Sequence, residues 1–158
     1  MASDKPITVT VVGGGNSAHV LIPFLGETNH TVNLMTRRPT EWKDTVKCEL
    51  QNMDAQVLET FHGTISKKSS NPADVIPDAD VIILCMPVHQ YRAALFNLAP
   101  HIDPSREVFV GTIYGQAGFN WMVHEMEKEF KQWCDKDMSE KEGFCGARPQ
   151  HAEHLAEI

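Results

Sequence analysis

Three consecutive glycines, residues 13–15, stand where a β-rich run changes into a helix-like segment. The run Ile7–Val12 precedes them, and together with Ala18 the glycines fit the pattern GxGxxG/A. Gly13 would permit a tight turn, Gly15 would let a phosphate approach the backbone, and Ala18 would let the helix pack on the strand. Because unpaired N–H groups at a helix start attract anions, this segment predicts a dinucleotide pyrophosphate site. The alternative interpretation is a glycine-rich strand-to-helix turn that binds no ligand.

The residues that follow the next strand bear on which dinucleotide would bind. The strand Thr31–Met35 leads into Thr36, Arg37 and Arg38, with no carboxylate at its end. In NAD-binding proteins of this type, an acidic residue near this place accepts hydrogen bonds from the ribose 2′-hydroxyl. Guanidinium groups suit a 2′-phosphate instead, which they bind through charge-assisted hydrogen bonds. We therefore expect NADP to be preferred over NAD, although arginines in surface loops are often simply solvated.

Strand-like and helix-like segments alternate along the chain and would position these residues. Buried strands are expected at Ile7–Val12, Thr31–Met35, Ala79–Pro87 and Glu107–Ile113, and helices at His19–Leu25, Glu41–Gln51 after a Thr40 N-cap, Tyr91–Leu98 and Phe119–Cys134. The alternating segment Gln56–Lys68 predicts a small β-hairpin that turns at His62-Gly63 and lies against the sheet edge. The expected fold is α/β: a Rossmann-type doubly wound, mostly parallel sheet with helices on both faces and this hairpin as an insertion.

Right-handed crossovers in such a sheet bring the ends of the parallel strands to one edge, where ligands bind. The glycine turn and the segments that follow the other strands should meet there. The expected cofactor-binding residues are Gly13, Gly14, Gly15, Asn16, Ser17, Ala18, Thr36, Arg37, Arg38, Met86 and Pro87. Gln116, in a second glycine-bearing turn, is expected at the same edge.

Composition excludes several other classes of function. A chain of 158 residues has room for one domain, and its net charge of -7 does not favour binding to nucleic acid or to an anionic membrane. No apolar run approaches the roughly 18–20 residues of a membrane span. The first six residues, MASDKP, contain no apolar stretch of the signal-peptide kind, and four irregularly spaced cysteines indicate reduced thiols. We expect a cytoplasmic protein.

Three strings of the sequence resemble one dehydrogenase family. They are VVGGGNSAH at Val11–His19, ADVIILCMPVHQY at Ala79–Tyr91 and GQAGF at Gly115–Phe119. Together they resemble the N-terminal domain of octopine dehydrogenase and related opine dehydrogenases, over about Ile7 to Phe130. The glycine turn alone is also similar to that of glycerol-3-phosphate dehydrogenases and ketopantoate reductases, which leaves those enzymes as an alternative.

The resemblance implies an NAD(P)H-dependent reductive condensation of a 2-oxo acid, such as pyruvate, with an amino acid. It implies that Gln116 contacts substrate, whereas the residue type alone is equally consistent with a helix cap. The resemblance also implies that the family's catalytic histidine belongs to a second, helical domain, which we expect this chain to lack, so no catalytic residue is assigned, and His89, His101 and His124 are not nominated. We expect a dinucleotide-binding domain at residues 1–136, a polar tail at 137–158, and an inactive fragment that can dock a missing domain.

Two further alternatives come from different classes of protein. The glycine turn is equally compatible with a stand-alone module that senses or buffers NAD(P)(H) without turnover. A metal site could be built from Cys134, Cys145, His151 and His154, but the cysteines are too far apart for a CxxC knuckle, and we expect no metal.

Overall fold

The computed structural model describes residues 5–115 and 118–140, and its described side chains end at residue 130. This part of the chain contains six strands and three α-helices. They are β1 Thr8–Val12, α1 Asn16–Gly26, β2 Thr31–Met35, β3 Thr45–Gln51, β4 Val57–Ser69, β5 Val81–Leu84, α2 Tyr91–Leu98, β6 Phe109–Thr112 and α3 Phe119–Glu140. The expected Rossmann-type α/β fold is confirmed.

The strands form one sheet in the order β3-β4-β2-β1-β5-β6. All neighbours run parallel except β3, which pairs antiparallel with β4. The parallel strands end in register: Val12 lies opposite Met35 and Leu84, Met35 opposite Ser69, and Leu84 opposite Thr112. Five carboxyl ends therefore lie along one edge, as the alternation of strands and helices predicted.

Helices cover both faces of the sheet because consecutive strand residues point to opposite sides. On one face, Val11 of β1 packs with Ala18 and Ile22 of α1. On the other face, Val12 packs with side chains of β5, α2 and α3, among them Leu84 and Tyr91. The apolar stripe predicted on the last helix packs in this second core: Phe119, Val123 and Met126 are buried, and Met122 and Phe130 are partly buried. Because Phe119, the first residue of α3, is buried in this core, it fixes where the second glycine-bearing turn ends.

The predicted helix Glu41–Gln51 is wrong. Residues Pro39–Glu41 form one 3-10 turn, in which Thr40 is an inner residue and not an N-cap, and the chain then continues as β3. The helix prediction came from Trp42, Val46 and Leu50, which are four residues apart. That spacing is also a multiple of the strand period of two, so it cannot separate the two structures. Pairing with β4 decides for the strand.

The predicted turn at His62-Gly63 is also wrong, although a β-hairpin is present. The segment is one continuous strand, β4, and the hairpin turn lies between β3 and β4, where Asn52 N donates to Gln56 O. Gly63 is needed for packing, since a Cβ there would overlap Ile22 O and lie 2.8 Å from Pro23 Cα in α1. The glycine marks the place where α1 crosses the sheet closely.

Other boundaries differ by a few residues. Helix α1 begins at Asn16 instead of His19, and α3 continues to Glu140. In the described residues, no helix combines the length and the apolar character needed to cross a membrane.

Replacement of Gly63 by alanine tests this packing. The added methyl group would push α1 away from β4, and we expect the free energy of unfolding to fall by about 1–3 kcal/mol, the usual cost of overpacking. Gly111→Ala is the matched control, because a Cβ on Gly111 meets no atom within 4 Å. Urea denaturation of both variants measures the difference, and equal stability of the two would contradict this account of Gly63.

Candidate functional site

The turn after β1 connects the ends of three strands. Gly13 has a φ of +128°, which a residue with a side chain adopts only with strain, and a Cβ there would overlap Cys85 O. Its N–H donates to Met35 O at 2.8 Å, while Cys85 N donates to Val12 O at 2.7 Å. The backbone geometry of this turn is therefore fixed by β2 and by the residue after β5.

The start of α1 provides backbone N–H groups at the sheet edge. Gly15 caps the helix in an extended conformation, and its carbonyl accepts hydrogen bonds from Ala18 N at 3.1 Å and His19 N at 3.2 Å. The amides of Asn16 and Ser17 precede these first helical bonds, and the positive end of the helix dipole lies with them. A Cβ on Gly15 would meet nothing within 4 Å, so an anion has room to approach this backbone.

A cleft of about 1230 Å³ lies along this edge, and it brings together most of the residues predicted from sequence. Those that line it are Gly13, Gly14, Gly15, Thr36, Arg37, Arg38, Met86 and Pro87. Ala18 does not line the cleft; it is fully buried beneath α1, in the packing role predicted for it. Asn16 and Ser17 line a separate groove of about 280 Å³ with Ile113 and Tyr114.

Gln116 lies outside the described residues, as do Cys145, His151 and His154. Cys134 is in α3 but beyond the described side chains. The start of the second glycine-bearing turn is nevertheless held in place, because the buried Tyr91 hydroxyl donates to Ile113 O at 3.2 Å and to Tyr114 O at 3.4 Å. Because Gln116 itself is not described, its contact with substrate stays a prediction.

One wall of the cleft was not predicted from the sequence. Trp42 lines it, and its ring stacks on His19 with centroids 4.0 Å apart. Lys68 holds this segment by donating to Trp42 O and to Asp44 Oδ1, both at 2.6 Å. Gly14 also lies close to this wall, since a Cβ on it would be 2.7 Å from Thr36 Oγ1 and 3.4 Å from Trp42 Nε1. The alternation of polar and apolar residues in β3 could have revealed this wall, because it predicts a strand that returns the chain to the sheet.

The charges of this cleft differ in sign from those of the whole chain. Four basic side chains line it, from Arg37, Arg38, Lys43 and Lys47, together with one carboxylate, from Glu41. The chain as a whole has a net charge of -7. Arg37 is exposed, and Arg38 forms an ion pair with Glu41 in which Nη1 lies 3.2 Å from Oε2. The edge therefore carries a local excess of positive charge.

Cys85, directly after β5, contributes its backbone and not a reactive thiol. Its side chain is buried in the α1 face of the core, and this burial raises the pKa of the thiol to about 11. Because the thiol stays protonated at neutral pH, it is a poor nucleophile. The described residues contain no group of three or more histidine, cysteine or acidic side chains that could hold a metal ion.

The chain is similar to a known family and to known proteins. Residues 8–111 match the model of the family described as "NADP oxidoreductase coenzyme F420-dependent". The chain is similar to an opine dehydrogenase of Haliotis discus hannai, with 28% identity over 147 residues. That alignment covers 82% of this chain and 34% of the relative, so the chain spans about a third of the length of the protein it resembles.

Two solved structures share the fold. Octopine dehydrogenase in complex with NADH and agmatine superposes with a TM-score of 0.69 at 22% identity, covering 78% of this chain and 32% of that one. Yersinopine dehydrogenase bound to NADP+ superposes with a TM-score of 0.65 at 16% identity, covering 80% and 32%. At these identities the superpositions establish the architecture of the domain.

Proposed function

This chain belongs to the family of NADP oxidoreductases described as coenzyme F420-dependent, and we propose that it binds the nicotinamide dinucleotide for an opine dehydrogenase-like oxidoreductase. It is an opine dehydrogenase-like NAD(P)-binding domain. The observation that supports the proposal is the backbone around Gly15, where α1 begins beside the carboxyl ends of five strands and a Cβ would meet no atom within 4 Å. That arrangement fits two linked phosphates.

The residues that would hold the cofactor have different roles, which follow from their chemistry. Gly13, Gly14 and Gly15 would leave room for the pyrophosphate, and the amides of Asn16 and Ser17 would donate to it. Met86 and Pro87 would close the cleft on the side of α2. When bound, a reduced nicotinamide supplies hydride for reduction. The chain's own residues orient the dinucleotide.

The proposed preference for NADP rests on the charge of the cleft. Arg37 and Arg38 line it directly after the buried Thr36, and two lysines add to the positive field. A 2′-phosphate carries about two negative charges near neutral pH and gains more from guanidinium groups than a neutral 2′-hydroxyl does. Solved relatives have been obtained both with NADH and with NADP+, so charge at this position supplies the argument for this chain.

The proposed reaction is the reductive condensation of a 2-oxo acid with an amino acid. Octopine dehydrogenase has been solved with NADH and L-arginine and with NADH and pyruvate, a pair of that kind. We propose that residues 1–136 form the cofactor domain, that 137–158 form a tail, and that Gln116 faces the substrate. Because the chain spans about a third of its relatives, we propose that turnover also needs a second domain.

The runner-up is a module that binds the dinucleotide without any reaction. The assay follows NADPH oxidation with pyruvate and a panel of amino acids, first with this chain alone. It is then repeated after adding the part of the Haliotis relative that the alignment does not cover. We expect NADPH binding without turnover alone, and turnover with the added domain. Oxidation by the chain alone would contradict its inactivity, and none in either mixture would favour the binding module.

Gly15→Ala tests the pyrophosphate site. Alanine tolerates the φ of -93° and ψ of -170° found here, and its weaker N-capping is partly offset by the lower entropy of the unfolded chain, so the free energy of unfolding should fall by no more than about 1 kcal/mol. Its methyl group would occupy the space left for phosphate, and we expect the dissociation constant for NADPH to rise at least about tenfold. Isothermal titration calorimetry compares it with Gly111→Ala, which lies outside the cleft. Wild-type affinity in Gly15→Ala would refute the site.

Arg37→Ala tests the cofactor preference. Loss of a charge-assisted hydrogen bond to the 2′-phosphate should weaken NADPH binding about tenfold and leave NADH binding nearly unchanged. Arg92→Ala is the control, because Arg92 is an exposed arginine on α2 that pairs with Glu125 and does not line the cleft. Equal losses for the two nucleotides, or wild-type binding of NADH as tight as that of NADPH, would contradict the preference.

A further inference from the structure

We infer that Glu41 sets the balance between the two nicotinamide dinucleotides by competing with a 2′-phosphate for Arg38. In the absence of that phosphate, its carboxylate would accept hydrogen bonds from the ribose hydroxyls. This inference rests on the proposed function, since it concerns the same cleft. It assigns a specificity role to a residue that does not follow β2 directly.

The 3-10 turn Pro39–Glu41 brings the carboxylate back to the cleft. Glu41 N donates to Arg38 O at 3.2 Å, which closes the turn, and the two side chains then lie on the same side of it. Arg38 Nη1 is 3.2 Å from Glu41 Oε2 and 3.5 Å from Oε1. Both residues line the cleft. The fold therefore supplies an acidic group beside the arginine that is expected to bind phosphate.

This ion pair can be exchanged at little cost. The side chains of Arg38 and Glu41 are 75% and 60% exposed, and exposed pairs contribute little to stability. A phosphate that binds Arg38 in place of Glu41 exchanges one ionic contact for another, but it then lies near the negative charge of the Glu41 carboxylate. A ribose hydroxyl leaves the pair intact and finds a carboxylate acceptor, which is the group used in NAD-binding proteins of this fold.

Glu41 is suited to this role by its position among the other charges. It is the one carboxylate among the described residues that line the cleft, against four basic side chains. Arg37 has no ion pair within the described part of the chain, so it remains free for phosphate while Arg38 is shared. Removal of Glu41 should therefore favour NADPH, whereas removal of Arg38 should favour NADH.

The test measures dissociation constants of NADPH and NADH for wild type, Glu41→Gln and Glu59→Gln at about 0.05 M salt, where exposed charges are weakly screened. Glu59 lies on β4, is exposed and does not line the cleft, so its variant removes the same charge elsewhere. We expect the ratio of the NADH to the NADPH constant to rise about two- to fivefold in Glu41→Gln, the range of an exposed charge interaction, and to stay constant in Glu59→Gln.

The double variant Arg38→Gln/Glu41→Gln shows whether the effect passes through Arg38. We expect Glu41→Gln to change NADPH affinity less in the Arg38→Gln background than in wild type, and a thermal unfolding scan confirms that each variant is folded. Equal ratios in Glu41→Gln and Glu59→Gln would overturn the inference while leaving nucleotide binding intact. If wild type bound neither nucleotide, the proposed function would fail first.

Discussion

The peptide after β1 is the constraint on which the rest of this site depends. Gly13 donates its N–H to the end of β2, while the last residue of β1 accepts from the residue that follows β5. Three strand ends are thus fixed relative to one another at a residue whose φ of +128° requires glycine. Because α1 begins three residues after Gly13, its orientation against the sheet edge follows directly. An anion site made of backbone amides needs this rigidity, since amides cannot adjust as side chains do.

The second wall of the cleft is held by side-chain contacts and not by the glycine turn. Its aromatic group, Trp42, stacks on a histidine of α1, while Lys68 on β4 anchors its carbonyl and the neighbouring Asp44. The hairpin of β3 and β4 therefore extends the sheet and also contributes Lys47 to the cleft, whereas Arg37, Arg38 and Lys43 precede it. An overall acidic chain concentrates positive charge where an anionic nucleotide would bind, which favours its association by electrostatic attraction.

Much of the fold could be predicted from the sequence because its central strands are buried on both faces and read as unbroken apolar runs. β1 and β5 are examples, and the glycine turn between β1 and α1 has a pattern with few alternatives. The segment 41–69 could not be predicted in this way. Trp42, Val46 and Leu50 fit a helix and a strand equally well by spacing, and Gly63 is required by a helix from another part of the chain. Local patterns do not contain that tertiary contact, and with β3 misassigned, Glu41 and Trp42 were missed at the cleft.

We propose that the amides at the start of α1 bind the pyrophosphate of a nicotinamide dinucleotide. The most direct measurement is a titration of the ¹⁵N-labelled chain with NADPH, followed by two-dimensional NMR of its backbone amides. We expect residues 14–17 to show the largest chemical-shift changes, Arg37 and Arg38 to show the next largest, and the amino-terminal ends of the strands to be unaffected. Saturable binding that leaves residues 14–17 unchanged would contradict it, as would no binding at all.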